Sequence, residues 1–139
     1  MSAPFLLQIA ESLYNRGIIS YPRTETDVFE KAFNLKSMIQ LQAESPEWGA
    51  YSQRLLDGEF KYPRNGKRND ESHPPIHPTA CPKDLKGEEK KVFDFVARRF
   101  LACCSDDARG QATHIKVELG DEIFSIQGTS GRANLMYFY

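Results

Sequence analysis

The chain has 139 residues, about the length of one ordinary domain, with 40% hydrophobic and 27% charged residues, a balance that suits a folded globular chain. A formal net charge of −1 excludes a global field that draws the chain to nucleic acid or membrane, so any basic surface has to be local. No run of about 18 apolar residues is present to span a membrane, and Cys81, Cys103 and Cys104 form neither a disulfide framework nor a Cys-x-x-Cys zinc pattern.

The opening MSAPFLLQIAESLYNRG has no basic leader region, and Gln8, Glu11 and Ser12 interrupt its apolar run, so it reads as a helix and not as a signal peptide. Leu6, Ile9, Ala10, Leu13 and Tyr14 recur at helical spacing over residues 3–16, and Gly17 is placed to stop the helix. Residues 18–21 are short and apolar, consistent with a brief strand, and Pro22 keeps Tyr21 out of the α region. A second helix is expected from near Thr26, with Thr24 or Thr26 as N-cap and Phe29, Phe33, Leu35, Met38, Ile39 and Leu41 along it, Asn34 being a possible break. Ser45-Pro46-Glu47 reads as the start of a third helix with proline in its first turn, running through Trp48, Tyr51, Leu55 and Leu56 to Gly58.

Residues 59–82 hold five prolines and few aliphatics, a long ordered loop of the kind that is usually functional. A helix over about Gly87 to Cys104 follows, with Val92, Phe93, Phe95, Val96, Phe100 and Leu101 expected inside. Thr113, Ile115, Val117 and Leu119 then alternate, Gly120-Asp121 turns, and Ile123, Phe124 and Ile126 return as a hairpin. The expected class is mainly α with a terminal β-hairpin, α+β. Residues 1–110 would form a helical domain of helix-turn-helix type, and residues 111–139 the start of a β-rich one.

Two stretches carry Tyr-Pro-Arg: ISYPRTETD from Ile19 and KYPRNGKRND from Lys61. A tyrosine hydroxyl is a nucleophile toward phosphorus once its pKa, ordinarily near ~10, is helped down. Arg23 follows Tyr21 by two, the same side of an extended segment, and a guanidinium both favours phenolate and forks onto phosphate oxygens. Thr24 and Thr26 add hydroxyls suited to bonding a DNA phosphate or capping the next helix. Around Tyr62 the setting is instead a basic turn, with Lys61, Arg64, Lys67 and Arg68 against Asp70, suited to phosphate-backbone contact. In ESHPPIHPT, His73 and His77 are spaced by four, but Pro74, Pro75 and Pro78 rule out a regular helix and with it helical metal-ligand spacing. His73 is then a positioned group for a phosphate hydrogen bond or a proton. For each of these residues a purely structural loop role remains open on local sequence alone.

Taken together, SYPRTET at Ser20–Thr26 and HPPIHPT at His73–Thr79 resemble the signatures of type IA DNA topoisomerases. LYNRGIISYPRTET, PRNGKRNDESHPPIHPT and FLACCSDDARGQ are similar to the eukaryotic topoisomerase III branch, and the likeness covers about residues 3–128. The resemblance implies that Tyr21 attacks a DNA phosphodiester to form a 5′-phosphotyrosine and free a 3′-hydroxyl. It implies that Arg23 positions the scissile phosphate and that His73 sits beside it. Tyr62 matches no nucleophile of the family. The implied fold is a helix-turn-helix, winged-helix-like catalytic domain, followed by the start of a β arch.

The same resemblance implies magnesium, held in the complete enzyme by an acidic cluster of a Toprim domain with a glutamate and a lysine. No Asp-x-Asp pair occurs here, and the adjacent pairs Asp106-Asp107 and Asp121-Glu122 diverge on a strand, so no metal site is expected in these residues and catalysis by the chain alone is not expected. Single-stranded DNA, a RecQ-type helicase and an OB-fold accessory protein are the implied partners, and the nucleus the implied location. The alternative expectation is a binding module for single-stranded DNA or protein, without catalysis. Residues 129–139, ending Met136-Tyr137-Phe138-Tyr139, depart from the family's continuation, with those last aromatics expected to be exposed or badly placed.

Overall fold

The computed structural model describes residues 2–132. Helix α1 spans Ala3–Asn15 with Pro4 in its first turn. It ends as Gly17 suggests: Arg16 is the C-cap, Gly17 takes φ +72°, Gly17 N–H donates to Tyr14 O at 2.8 Å and Ile18 N–H to Leu13 O at 2.9 Å. That pair of bonds is a Schellman stop, which satisfies the last carbonyls and turns the chain sharply. The helix buries Ile9 and Leu13. Leu6 and Tyr14, expected on the same stripe, are 45% and 42% exposed.

The second helix departs from expectation. Residues 24–34 are extended or turn, and α2 covers only Leu35–Gln42. The reason lies in the carbonyls. Asp27 O, which a helix would give to the N–H of residue 31, accepts Gly66 N–H at 3.0 Å, and Glu30 O accepts the Tyr62 hydroxyl at 3.0 Å, so groups a helix needs are spent on the loop opposite. Asn34 starts α2 instead of breaking it, its Oδ1 accepting Ser37 N–H at 3.1 Å, as an N-cap should.

Ser45 Oγ likewise accepts Glu47 N–H at 3.2 Å, but Pro46 lies in a turn, and α3 runs from Gly49 to Arg54. It widens into a π-type turn, Leu55–Glu59, closed by Phe60 N–H to Leu55 O at 3.1 Å and by Gly58 at φ +131°. Helix α4, Gly87–Cys103, buries Val92, Phe93, Ala97, Phe100 and Leu101. Phe95, expected inside, is 62% exposed. A surface helix covers one stripe only, and position 95 lies off the stripe set by 93, 97, 100 and 101.

These helices belong to one compact unit, Met1–Asp106. Its core is built of Leu13, Ile19, Ile39, Leu55, Phe100 and Leu101, all almost fully covered. Gln42 is fully buried among them and fully used: its Nε2 donates to Ala80 O at 2.8 Å and its Oε1 accepts Trp48 Nε1–H at 3.2 Å. A buried amide is tolerated when its donors and acceptors are met, and this one ties the end of the long loop to the core.

The second unit, Asp107–Tyr139, contains an antiparallel hairpin of β1, Arg109–Leu119, and β2, Glu122–Arg132. The Gly120-Asp121 turn is as expected, with Gly120 at φ +64° and Leu119 opposite Glu122, the positive φ that two-residue hairpin turns demand. Pairing extends past the alternation that opens at Thr113, from Ala112↔Thr129 out to Arg109↔Arg132. The chain is thus α+β, with four α-helices and one hairpin among the described residues. The terminal aromatics Tyr137, Phe138 and Tyr139, with Met136, lie outside the described residues.

Candidate functional site

The long loop does not stand away from the domain. It runs antiparallel along residues 17–30 and bonds to them nearly throughout. From one end, Thr79 Oγ1 donates to Gly17 O at 2.8 Å and Thr79 N–H to Ile18 O at 3.0 Å. Ile19 and Pro78 form a β-bridge. Ser20 N–H donates to His77 O, and His77 N–H to Ser20 Oγ, both at 2.9 Å. Further along, Thr24 Oγ1 donates to Asp70 Oδ2 at 3.0 Å, and Asp70 N–H donates to Thr26 Oγ1 at 2.9 Å. Arg68 N–H donates to Asp27 Oδ1 at 2.7 Å, Gly66 N–H to Asp27 O at 3.0 Å, and Tyr62 Oη to Glu30 O at 3.0 Å. Two segments distant in sequence become one two-ply ribbon.

In the middle of that ribbon sit Tyr21 and His73. Their rings pack at 4.5 Å between centroids with 31° between planes. Tyr14 of α1 meets Tyr21 edge-on at 5.3 Å. Tyr21 is half-buried and His73 exposed, so the pair lies at the surface with its phenol ring held on two sides. Arg23 is exposed, and its Nε donates to Glu11 Oε1 at 2.5 Å. Glu11, by this hydrogen bond and then by its charge, raises the Arg23 pKa above its ordinary value, and Tyr21 adds to this. The guanidinium is therefore anchored through Nε to α1. Sequence reading named Arg23 but missed Glu11, for which helical spacing offers no signal.

Asp70, in sequence the lone acid of a basic turn, is a junction of hydrogen bonds. Its Oδ1 accepts the N–H groups of Ser72 at 2.9 Å and His73 at 2.8 Å, an Asx-type turn that the order Asp-Glu-Ser-His permits. The His73 N–H, then the Ser72 N–H, and the Thr26 and Thr24 hydroxyls hold its carboxyl well below the usual carboxylate range. Thr24 reaches this acid and caps no helix.

The basic turn is less basic than its count suggests. Arg68 Nη1 lies 3.7 Å from Glu25 Oε2 and Lys61 Nζ 3.6 Å from Asp106 Oδ1, acids that a count over residues 61–70 omits. Arg64, Lys67 and Arg68 are exposed and, with Tyr62, lie along the half of the ribbon beyond Asp70. Tyr62 gives its hydroxyl to Glu30 O and is remote from the Tyr21–His73 pair in the ribbon's register.

His77 is buried at 4% exposure in a cage of Phe33, Phe29 and Phe100, with ring centroids at 5.0, 5.9 and 6.1 Å. Its Nδ1 lies 2.8 Å from Pro75 O. Burial lowers its pKa, against the opposing pull of that carbonyl. It is an anchor for the ribbon. The two histidines of one motif thus part company: His73 faces Tyr21, His77 the core. Among the described residues no group of three or more His, Cys, Asp or Glu is placed to hold a metal ion. The described residues do not fit a magnesium site.

Comparison with known proteins agrees with the resemblance of the motifs. Residues 1–133 match the family described as DNA topoisomerase. DNA topoisomerase 3 of Dictyostelium discoideum is 52% identical over 124 residues, covering 88% of this chain and 15% of that protein. DNA topoisomerase 3-alpha of Homo sapiens is 44% identical over 128 residues, covering 92% of this chain and 13% of that protein. DNA topoisomerase 3 of Schizosaccharomyces pombe is 45% identical over 134 residues, covering 92% and 21%. The chain therefore spans about a seventh of the length of the first two relatives. It belongs to the type IA DNA topoisomerases, in the branch of the eukaryotic topoisomerase 3 proteins.

Proposed function

We propose that this chain supplies the nucleophile of a type IA topoisomerase, and that Tyr21 is that nucleophile. The observation that carries the reading is the Tyr21–His73 ring contact at 4.5 Å, made by two motifs that meet only through folding. Tyr21 Oη attacks the phosphorus of a single-stranded DNA phosphodiester. The new bond joins Oη to phosphorus, the bond to the 3′-oxygen breaks, and that oxygen leaves as a hydroxyl after taking up a proton. Reversal restores the strand. One ester replaces another, so no ATP is required for cleavage, strand passage and religation.

Arg23 serves the charge that builds on the phosphate oxygens. Held through Nε by Glu11, it turns its two Nη groups to a bidentate role. His73, against the face of Tyr21, meets the same phosphate. Arg64, Lys67 and Arg68 touch the backbone of the strand farther on. The helical unit serves as a winged-helix-like carrier of this site, and the magnesium-binding half of the enzyme lies in a Toprim domain outside these residues.

The test is covalent capture. In the native polypeptide carrying this chain, a 3′-labelled single-stranded oligonucleotide trapped with detergent should migrate as a protein adduct. Tyr21→Phe should remove the adduct and Tyr62→Phe should leave it. An adduct that persists in Tyr21→Phe refutes the assignment, and DNA binding without any adduct in the wild type favours a binding module.

A further inference from the structure

Asp70 does more than close a turn. One oxygen, Oδ1, accepts two backbone N–H groups, those of Ser72 and His73. The other, Oδ2, accepts the Thr24 hydroxyl at 3.0 Å and faces His73 Nδ1 at 3.8 Å. Within the same turn Glu71 takes φ +57°, the single non-glycine residue with positive φ among those described. That conformation is disfavoured for a side-chain-bearing residue and persists where surroundings over-determine it. The bonds converging on Asp70 supply that constraint. Both motifs of the site, Thr24 of one and His73 of the other, therefore meet at one carboxylate.

We propose that Asp70 is a positioning residue for cleavage, acting through His73: its carboxylate keeps the imidazole proton on Nδ1 and leaves Nε2 as the nitrogen that meets the DNA phosphate. The proposal rests on the reading of Tyr21 and His73 above and deepens it. A carboxylate has no donor of its own, so only an N–H suits it across from Nδ1. A phosphate oxygen is an acceptor too, so meeting it at Nε2 requires a second N–H there, on a ring set between two anions. Of the other acids, Glu30 and Glu71 line the hollow that His73 borders, whereas Asp70 Oδ2 lies 3.8 Å from its Nδ1. The ring also packs on Tyr21.

The first readout needs no activity. In the full chain labelled with 15N, two-bond imidazole correlations distinguish the tautomers of the neutral ring, and His73→Gln identifies the His73 signals among the three histidines. Wild type should show the Nδ1–H form. Asp70→Asn should show Nε2–H with an unchanged melting temperature, because the amide oxygen still accepts the Ser72 and His73 N–H groups. Glu71→Gln should leave the tautomer as it is. An Nε2–H form in the wild type overturns the proposal even if Asp70→Asn fails to fold, and so does an unchanged tautomer in that variant.

The second readout is adduct yield in the native polypeptide. It should fall about tenfold or more in Asp70→Asn, with single-stranded DNA binding unchanged. Wild-type yield, or an equal loss of binding, overturns the proposal. An adduct surviving in Tyr21→Phe would instead mark the failure of the nucleophile assignment, and the tautomer would still decide whether Asp70 grips His73.

Discussion

Ser20 and His77 bind each other twice, backbone N–H to carbonyl in one direction and backbone N–H to hydroxyl in the other, both at 2.9 Å. The residue before Tyr21 is thereby locked to a histidine caged by phenylalanines. Core packing reaches the site through this pair of residues among others. Ser20→Ala removes the acceptor of the His77 N–H, a half-buried group whose loss of partner costs about 1–3 kcal/mol. Urea unfolding of the chain should register that loss, and adduct yield should fall with it because Tyr21 is next in line.

His77 makes stability depend on pH. Its folded pKa lies below the ordinary 6.5 because burial disfavours the charged ring. The unfolded chain therefore takes up this proton first as pH falls. Stability is unaffected by His77 above its unfolded value and declines as pH drops below it, down to the folded value. The urea midpoint should fall between about pH 7.5 and pH 5.5, and His77→Gln should flatten this slope while His114→Gln, on the exposed hairpin, should not. An equal slope in His77→Gln would show that another group is responsible.

Gly66 is required by close approach. A Cβ built there falls 2.1 Å from the Asp27 carboxylate, the same group that accepts the Arg68 N–H. Gly66→Ala should displace Asp27, cost about 1–3 kcal/mol and open the loop to protease between residues 61 and 70. Asp27→Ala removes the obstacle, so the double variant should be less destabilised than the sum of the two singles. Strict additivity in denaturant melts would mean that Gly66 tolerates a methyl for other reasons.

Leu13 is fully covered, one turn before the Schellman stop that aims the chain into the Tyr21 segment. Leu13→Ala should cost about 2–5 kcal/mol, read as a lower melting temperature of the whole helical unit. A loss confined to the ribbon, with the helices' melting unchanged, would contradict a shared core.

The two tyrosines were separable in the sequence only by likeness to a family, since Tyr-Pro-Arg occurs twice. Folding separates them physically. Tyr62 spends its hydroxyl on Glu30 O, while Tyr21 has its ring held by Tyr14 and His73. Tyr62→Phe should therefore cost about 0.5–1.5 kcal/mol of stability and leave covalent chemistry intact, the reverse of the pattern for Tyr21→Phe.

Local rules determined what local bonds decide. The stop at Gly17, the proline-rich loop, α4 and the Gly120-Asp121 hairpin turn were legible because glycine at positive φ, proline and helical periodicity act over a few residues. So were Tyr21, Arg23 and His73 as candidates, from residue type, spacing and the motifs that carry the family. Tertiary structure decided the rest. The helix expected from Thr26 does not form because Asp27 O accepts the N–H of Gly66, a partner that no window around Thr26 contains. Glu11 became the anchor of Arg23, and Asp70 the meeting point of Thr24 and His73, for the same reason. Hydrogen bonds and ion pairs between residues far apart in the chain exist only once hydrophobic burial has closed the intervening loops, and it is those contacts that turn two motifs into one site.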